Sequence, residues 1–108
     1  MKSKKRSSRV EGRGDVLVDL QNRGRIAGIK SLLRRHHVHT RDIVNGKDFL
    51  FSGPSEELHI ALRDLLEIEH RSKQSLHFDF ARIDQYFLLR ITGSRDQQDA
   101  ISEYFEHE

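Results

Sequence analysis

The stretch VHTRDIVNGKDFLFSG, residues 38–53, decides the fold. Two runs rich in β-branched and aromatic residues flank Asn45-Gly46, a pair that readily supplies the positive backbone angles a two-residue hairpin turn requires. The stretch therefore predicts a β-hairpin, and its neighbours fall into place around it. Upstream, NRGRIAGIKSLLRRHH (22–37) sets Ile26, Ile29, Leu32, Leu33 and His36 at helical spacing, with Asn22 able to cap the entry. Before that, DVLVDL (15–20) alternates Val16, Val18 and Leu20 and predicts a first strand.

Downstream, Pro54 suits the first turn of a helix, where its missing N–H is not needed, and Glu56 and Glu57 suit the positive end of the helix dipole. Leu58, Ala61, Leu62, Leu65 and Leu66 then mark one face through about residue 69. Leu76, Phe78 and Phe80, a polar break at Asp84-Gln85, and Phe87, Leu89 and Ile91 predict a second hairpin. Ser94 with Gln97 matches a capping box, and Ala100, Ile101, Tyr104 and Phe105 line a short last helix. The predicted order is β-α-β-β-α-β-β-α, an α+β fold with helices on one face of an antiparallel sheet.

With 108 residues the chain has the size of one domain, divided here into a basic arm at 1–13 and a single α+β domain at 14–108. The arm holds Lys2, Lys4, Lys5, Arg6 and Arg9 among serines, with too little apolar surface to offset the entropy of ordering it. There is no cysteine, hence no disulfide framework and no thiolate chemistry, which fits a reducing compartment. The chain lacks both an apolar run of membrane-spanning length and the apolar segment of a secretory signal, so the expected place is the cytoplasm, away from membranes. A net charge of +2 conceals a split, because residues 1–48 carry 13 Lys/Arg against 5 Asp/Glu and residues 49–108 carry 6 against 12. Such asymmetry suits an anionic partner or attraction between copies.

Two binding readings follow. In the first, Gly24 turns the chain into the helix, whose free N–H groups favour an anion, and Arg23 and Arg25 flank that spot. Asn22, Arg23, Gly24 and Arg25 are then a site for a small anionic ligand, the alternative being an ordinary turn with solvated arginines. In the second, Lys30, Arg34 and Arg35 extend the basic arm residues Lys2, Lys4, Lys5, Arg6 and Arg9 into a surface for nucleic acid. The histidines of RRHHVHTRD (34–42) diverge across a helix end, so His36, His37 and His39 predict no metal centre. His77 and Asp79 share a strand face and could act as base and orienter, but no nucleophile stands beside them, and no enzyme activity and no cofactor are expected. Leu50, Tyr86 and Leu88 fall on the opposite parity from the core phenylalanines, leaving an apolar patch that a second copy would cover; a homodimer is expected.

Residues 16–43 resemble the opening of an ACT domain, a small ferredoxin-like βαββαβ module. Gly24, Ile26, Ala27, Ile29, Leu33 and Val38 match its pattern, and Asn22 stands where an Asp is usual. Arg23 replaces the family's proline, His37 its helix-ending glycine, and His39-Thr40 its Asn-Ile pair. The resemblance implies a non-catalytic regulatory module that pairs through its sheet and binds an amino acid or similar ligand at residues 22–25.

Overall fold

A computed structural model describes residues 20–71 and 76–106. The chain is helical from residue 20 to 35 (α1), then forms strands β1 (His37–Ile43) and β2 (Gly46–Ser52) and helix α2 (Ser55–Arg71). Strands β3 (His77–Ile83) and β4 (Tyr86–Thr92) follow, then a 3-10 turn (Arg95–Gln97) running into a short helix α3 (Gln98–Ser102). The protein is therefore α+β, and from residue 20 onward the order of elements is the expected one. Of the predicted first strand, residues 15–19 lie outside the described residues, as do the arm residues Lys2, Lys4, Lys5, Arg6 and Arg9; Leu20 belongs to α1 and is 53 % exposed.

The four strands make one antiparallel sheet in the order β1-β2-β4-β3, two hairpins joined where β2 pairs with β4. Phe49 and Phe51 of β2, Phe78 of β3, and Phe87, Leu89 and Ile91 of β4 share its inner face. Against them pack Leu33 of α1, Leu58, Leu62 and Leu65 of α2, and Ile101 and Tyr104 at the C-terminal end, so the three helices cover one face. Burying such side chains is worth roughly 1.5–3 kcal/mol each, and this layer is the main source of stability.

The first hairpin turns one residue earlier than Asn45-Gly46 suggests. Val44 and Asn45 form the loop, Ile43 pairs with Gly46, and only Asn45 takes a positive φ, 66°. Gly46 is needed for a different reason: a Cβ there would run into the Ile91 carbonyl of the neighbouring strand. The second hairpin turns at Asp84-Gln85, with Asp84 at φ 56°, a conformation that Asn and Asp tolerate better than most residues. At the start of β1 a bulge leaves Val38 as an extra residue between His37 and His39.

α1 ends where its partner strand holds it. His36 donates its N–H to the Leu33 carbonyl and accepts from the Ser52 N–H at 2.9 Å, and its ring fills the space a Cβ on Gly53 would take. The Ser94–Gln97 capping box forms as predicted, the Gln97 side chain accepting from the Ser94 backbone N–H at 2.8 Å. Among the described residues no helix is long and apolar enough to cross a membrane.

Candidate functional site

The sequence places an anion site at Asn22, Arg23, Gly24 and Arg25, which the structure sets in helix α1. That segment is helical from residue 20, the first described residue. Gly24 has open space around it, which removes close backbone approach as the reason for the glycine. Arg25 reaches Asp64 on α2 at 3.5 Å, so part of its charge is compensated within the fold.

A cavity opens instead at the other end of α1. It holds about 500 Å³ and lies between the last turn of α1, the first hairpin and the chain after α3. Phe49, Phe51 and Phe105 form its apolar lining, and Phe105 meets Phe49 and Phe51 edge-on at 4.9 and 5.7 Å between ring centroids. Edge-to-face packing fixes the three rings relative to one another, so the apolar wall is formed in advance of any ligand. Thr40, Ser102, Arg34, His37, Lys47 and Glu106 complete the lining.

Arg34, His37, Thr40 and Lys47 of that lining are each positioned by a named contact. Arg34 donates from Nη1 to the Phe105 carbonyl at 2.6 Å, tying the helix end to the C-terminal segment. The His37 ring lies 5.8 Å from the Phe51 ring, and its Nε2 is 2.6 Å from Thr40 Oγ1. Lys47 reaches over the rim to pair with Asp42. An ammonium carries three N–H donors, so the pairing with Asp42 does not exhaust the capacity of Lys47.

The remaining basic residues of α1 are placed differently from one another. Lys30 is half-buried with its Nζ 4.0 Å from the centroid of the Tyr104 ring. Burial holds its ammonium below the ordinary lysine range, with Arg34 acting in the same sense and the charge of Glu69 opposing both. Tyr104 in turn donates its hydroxyl to Glu69 at 2.5 Å, so Lys30, Tyr104 and Glu69 form a polar cluster inside the helix layer. Arg34 is partly buried on the cavity wall, and Arg35 is exposed. Of the three α1 cations assigned to nucleic acid, only Arg35 therefore projects into solvent.

The histidines of residues 36–39 separate as their positions require. His36 sits on Gly53, His37 faces the cavity, and His39 pairs opposite Leu50 on the outer side of the sheet. Among the described residues, no three side chains of metal-ligating type converge. His77 and Asp79 are both exposed on β3, and Asp79 lies opposite Arg90, whose charge it supports.

Sequence reasoning missed the cavity because its lining comes from α1, β1, β2, α3 and the segment after it. One signal was available: Lys47, Phe49 and Phe51 share strand parity, which sets a cation beside an aromatic surface. Comparison of the chain with protein-family models, curated proteins and solved structures finds no match.

Proposed function

We propose that the chain is a small, non-catalytic binding module of regulatory type whose ligand is an amino acid or related carboxylate with an apolar body. The observation that carries this reading is the cavity of about 500 Å³, in which a phenylalanine wall stands beside Arg34, Lys47 and His37. That volume falls in the usual range for small-ligand sites, which combine a mainly apolar lining with a few polar groups that fix orientation. A carboxylate suits the donors of Arg34 and Lys47, and the Glu106 carboxylate on the same lining suits an ammonium. A zwitterion uses both; a dianion would meet Glu106 unfavourably.

The functional half of the ACT-like resemblance supports the same reading, with the ligand moved from residues 22–25 to the opposite end of the helix. The direct β2–β4 pairing leaves the ferredoxin-like strand order without support among the described strands. The absence of cysteine is consistent with a module that works in the reducing cytoplasm.

The test is thermal unfolding of the full chain with phenylalanine, leucine, benzoate, phosphate and mixed-sequence RNA. The expected outcome is a saturable rise in Tm with an apolar amino acid, corresponding to about 2.7 kcal/mol when the ligand stands at a hundred times its Kd. The rise should vanish in Arg34→Ala with Lys47→Ala and persist in Arg23→Ala with Arg25→Ala. Loss in the second double variant alone would return the site to the start of the helix. Stabilisation by RNA alone, fading steeply with salt, would replace the reading with a nucleic-acid one.

A further inference from the structure

The outer face of the sheet carries a row of charges that runs across all four strands. Arg41 of β1 pairs opposite Asp48 of β2, Asp48 opposite Arg90 of β4, and Arg90 opposite Asp79 of β3. The signs alternate, plus, minus, plus, minus, at the strand spacing of about 4.8 Å. Beside this row lies a second, in which His39, Leu50, Leu88 and Ala81 stand opposite one another in the same strand order. The three helices cover the other face, and Ile83 at the rim of this one is 49 % exposed.

We propose that this face binds a second copy of the chain, sheet against sheet, about a two-fold axis that runs parallel to the strands between β2 and β4. The charge row selects both the occupant and the axis. Rotation about that line carries β1 over β3 of the partner and β2 over β4, so the exposed Arg41 meets the partner's exposed Asp79, Arg90 lies over the Asp48 that two arginines of the partner enclose, and Leu50 meets a Leu. A two-fold running across the strands keeps every residue over its own strand. Passing through the charge row it sets Arg on Arg and Asp on Asp; passing through the leucine row it sets the charges over Tyr86 and Ile83. Like charges facing each other across an interface are strongly unfavourable, so the rotation that sets the exposed Arg41 on the partner's Asp79 is the favoured one.

The geometry of packed sheets agrees with this arrangement. Aligned sheets pack at about −30°, which at the outer strands offsets facing residues by roughly 3–4 Å, a gap that arginine side chains span while the central leucines stay in register. Four strands of seven residues offer about 450 Å² per copy at standard strand dimensions, about 900 Å² in all, which falls in the weak, transient class of interface below about 1,200 Å², so the pairing is reversible.

Sedimentation equilibrium of the full chain from about 1 µM to about 1 mM tests the proposal, with circular dichroism as the check on folding. The wild-type chain is expected to dimerise weakly and reversibly within this concentration range, as interfaces of this small area do. Arg41→Glu and Asp79→Arg each set two like-charge pairs across the axis and should each weaken dimerisation at least tenfold while remaining folded. An equimolar mixture of the two should associate again, because the glutamate introduced in one variant then faces the arginine introduced in the other, and Asp79 of the first faces Arg41 of the second. A chain that stays monomeric at 1 mM overturns the proposal. So does a dimer whose strength neither variant changes, or two weakened variants that fail to recover on mixing.

Discussion

The two faces of the sheet are built from alternate residues of the same four strands, yet each handles a buried carboxylate in its own way. On the inner side Glu69, 4 % exposed, reaches into the helix layer and is met by the Tyr104 hydroxyl, with Lys30 close by. On the outer side Asp48, fully buried although no helix covers it, is enclosed by two arginines. Arg90 contributes Nε and Nη2 at 2.7 and 2.9 Å, and Arg41 contributes Nη2 at 2.7 Å. The Arg90 bonds hold the Asp48 carboxyl below the usual carboxylate range; Arg41 adds to this, and together they outweigh the opposing effect of burial. Apolar packing therefore carries the inner face, whereas the outer face depends on charge, and the two should respond differently to substitution, to pH and to the presence of a second copy.

The largest effect separates the faces directly. Phe87 lies in the core at 2 % exposure and Leu88, its neighbour in the chain, points the other way. Phe87→Ala should lower stability by about 3–5 kcal/mol, the usual cost of deleting a buried ring. Leu88→Ala should cost less than about 1 kcal/mol in dilute solution, as a partly exposed position does, and act on self-association instead. Denaturant unfolding at a few micromolar protein measures both. Equal losses would mean that the outer face is already packed against something within the chain.

Asp48→Ala comes next, at about 2 kcal/mol, the scale of hydrogen bonds to a charged group whose partners remain partly solvated. Because the folded-state pKa lies below the ordinary value of 3.8, the stabilisation is present above that value and is lost as pH falls through the lower, folded one. The wild-type chain should therefore lose stability below about pH 4, and the Asp48→Ala chain should lose less over the same interval. An acid limb of unchanged steepness in the variant would show that other carboxylates control it.

Most of the element order is legible in the sequence because it follows from a hydrophobic period that switches between 3.6 and 2, together with local signals such as Ser94–Gln97. What is not legible depends on residues far apart in the chain. Gly46 reads as a turn glycine, yet its requirement comes from the Ile91 carbonyl across β4, and the left-handed residue is Asn45. Gly24 reads as a strand-to-helix turn, yet the helix runs through it: Ile26, Ile29 and Leu33 pack on the core, which offsets the roughly 1 kcal/mol a glycine costs in a helix. The cavity escapes detection for a related reason, since Arg34, Lys47 and Phe105 meet only once the sheet has formed. The outer face is legible in part. Its leucines follow from strand parity, but the charge row needs the registers of three strand pairs, which no local pattern encodes.

The smallest of these effects belongs to the inner carboxylate, and it appears at the opposite end of the pH scale. Burial, and then the neighbouring charge of Glu69, push the Tyr104 phenol well above its ordinary range. The unfolded chain ionises this group near pH 10 and the folded chain resists, so its contribution is intact below pH 10 and declines as pH rises further. Tyr104→Phe keeps the ring beneath Lys30 but removes the donor to Glu69, which should cost about 1–2 kcal/mol at neutral pH. The same variant should lose less stability above pH 10 than the wild-type chain, because a group that ionises only on unfolding is gone. Adding Glu69→Met to Tyr104→Phe should recover part of the neutral-pH loss, since a buried acceptor without its donor costs more than an apolar pair of similar size. If the double variant is weaker than the single one, the carboxylate is held chiefly by Lys30, and the inner face depends on charge as the outer one does.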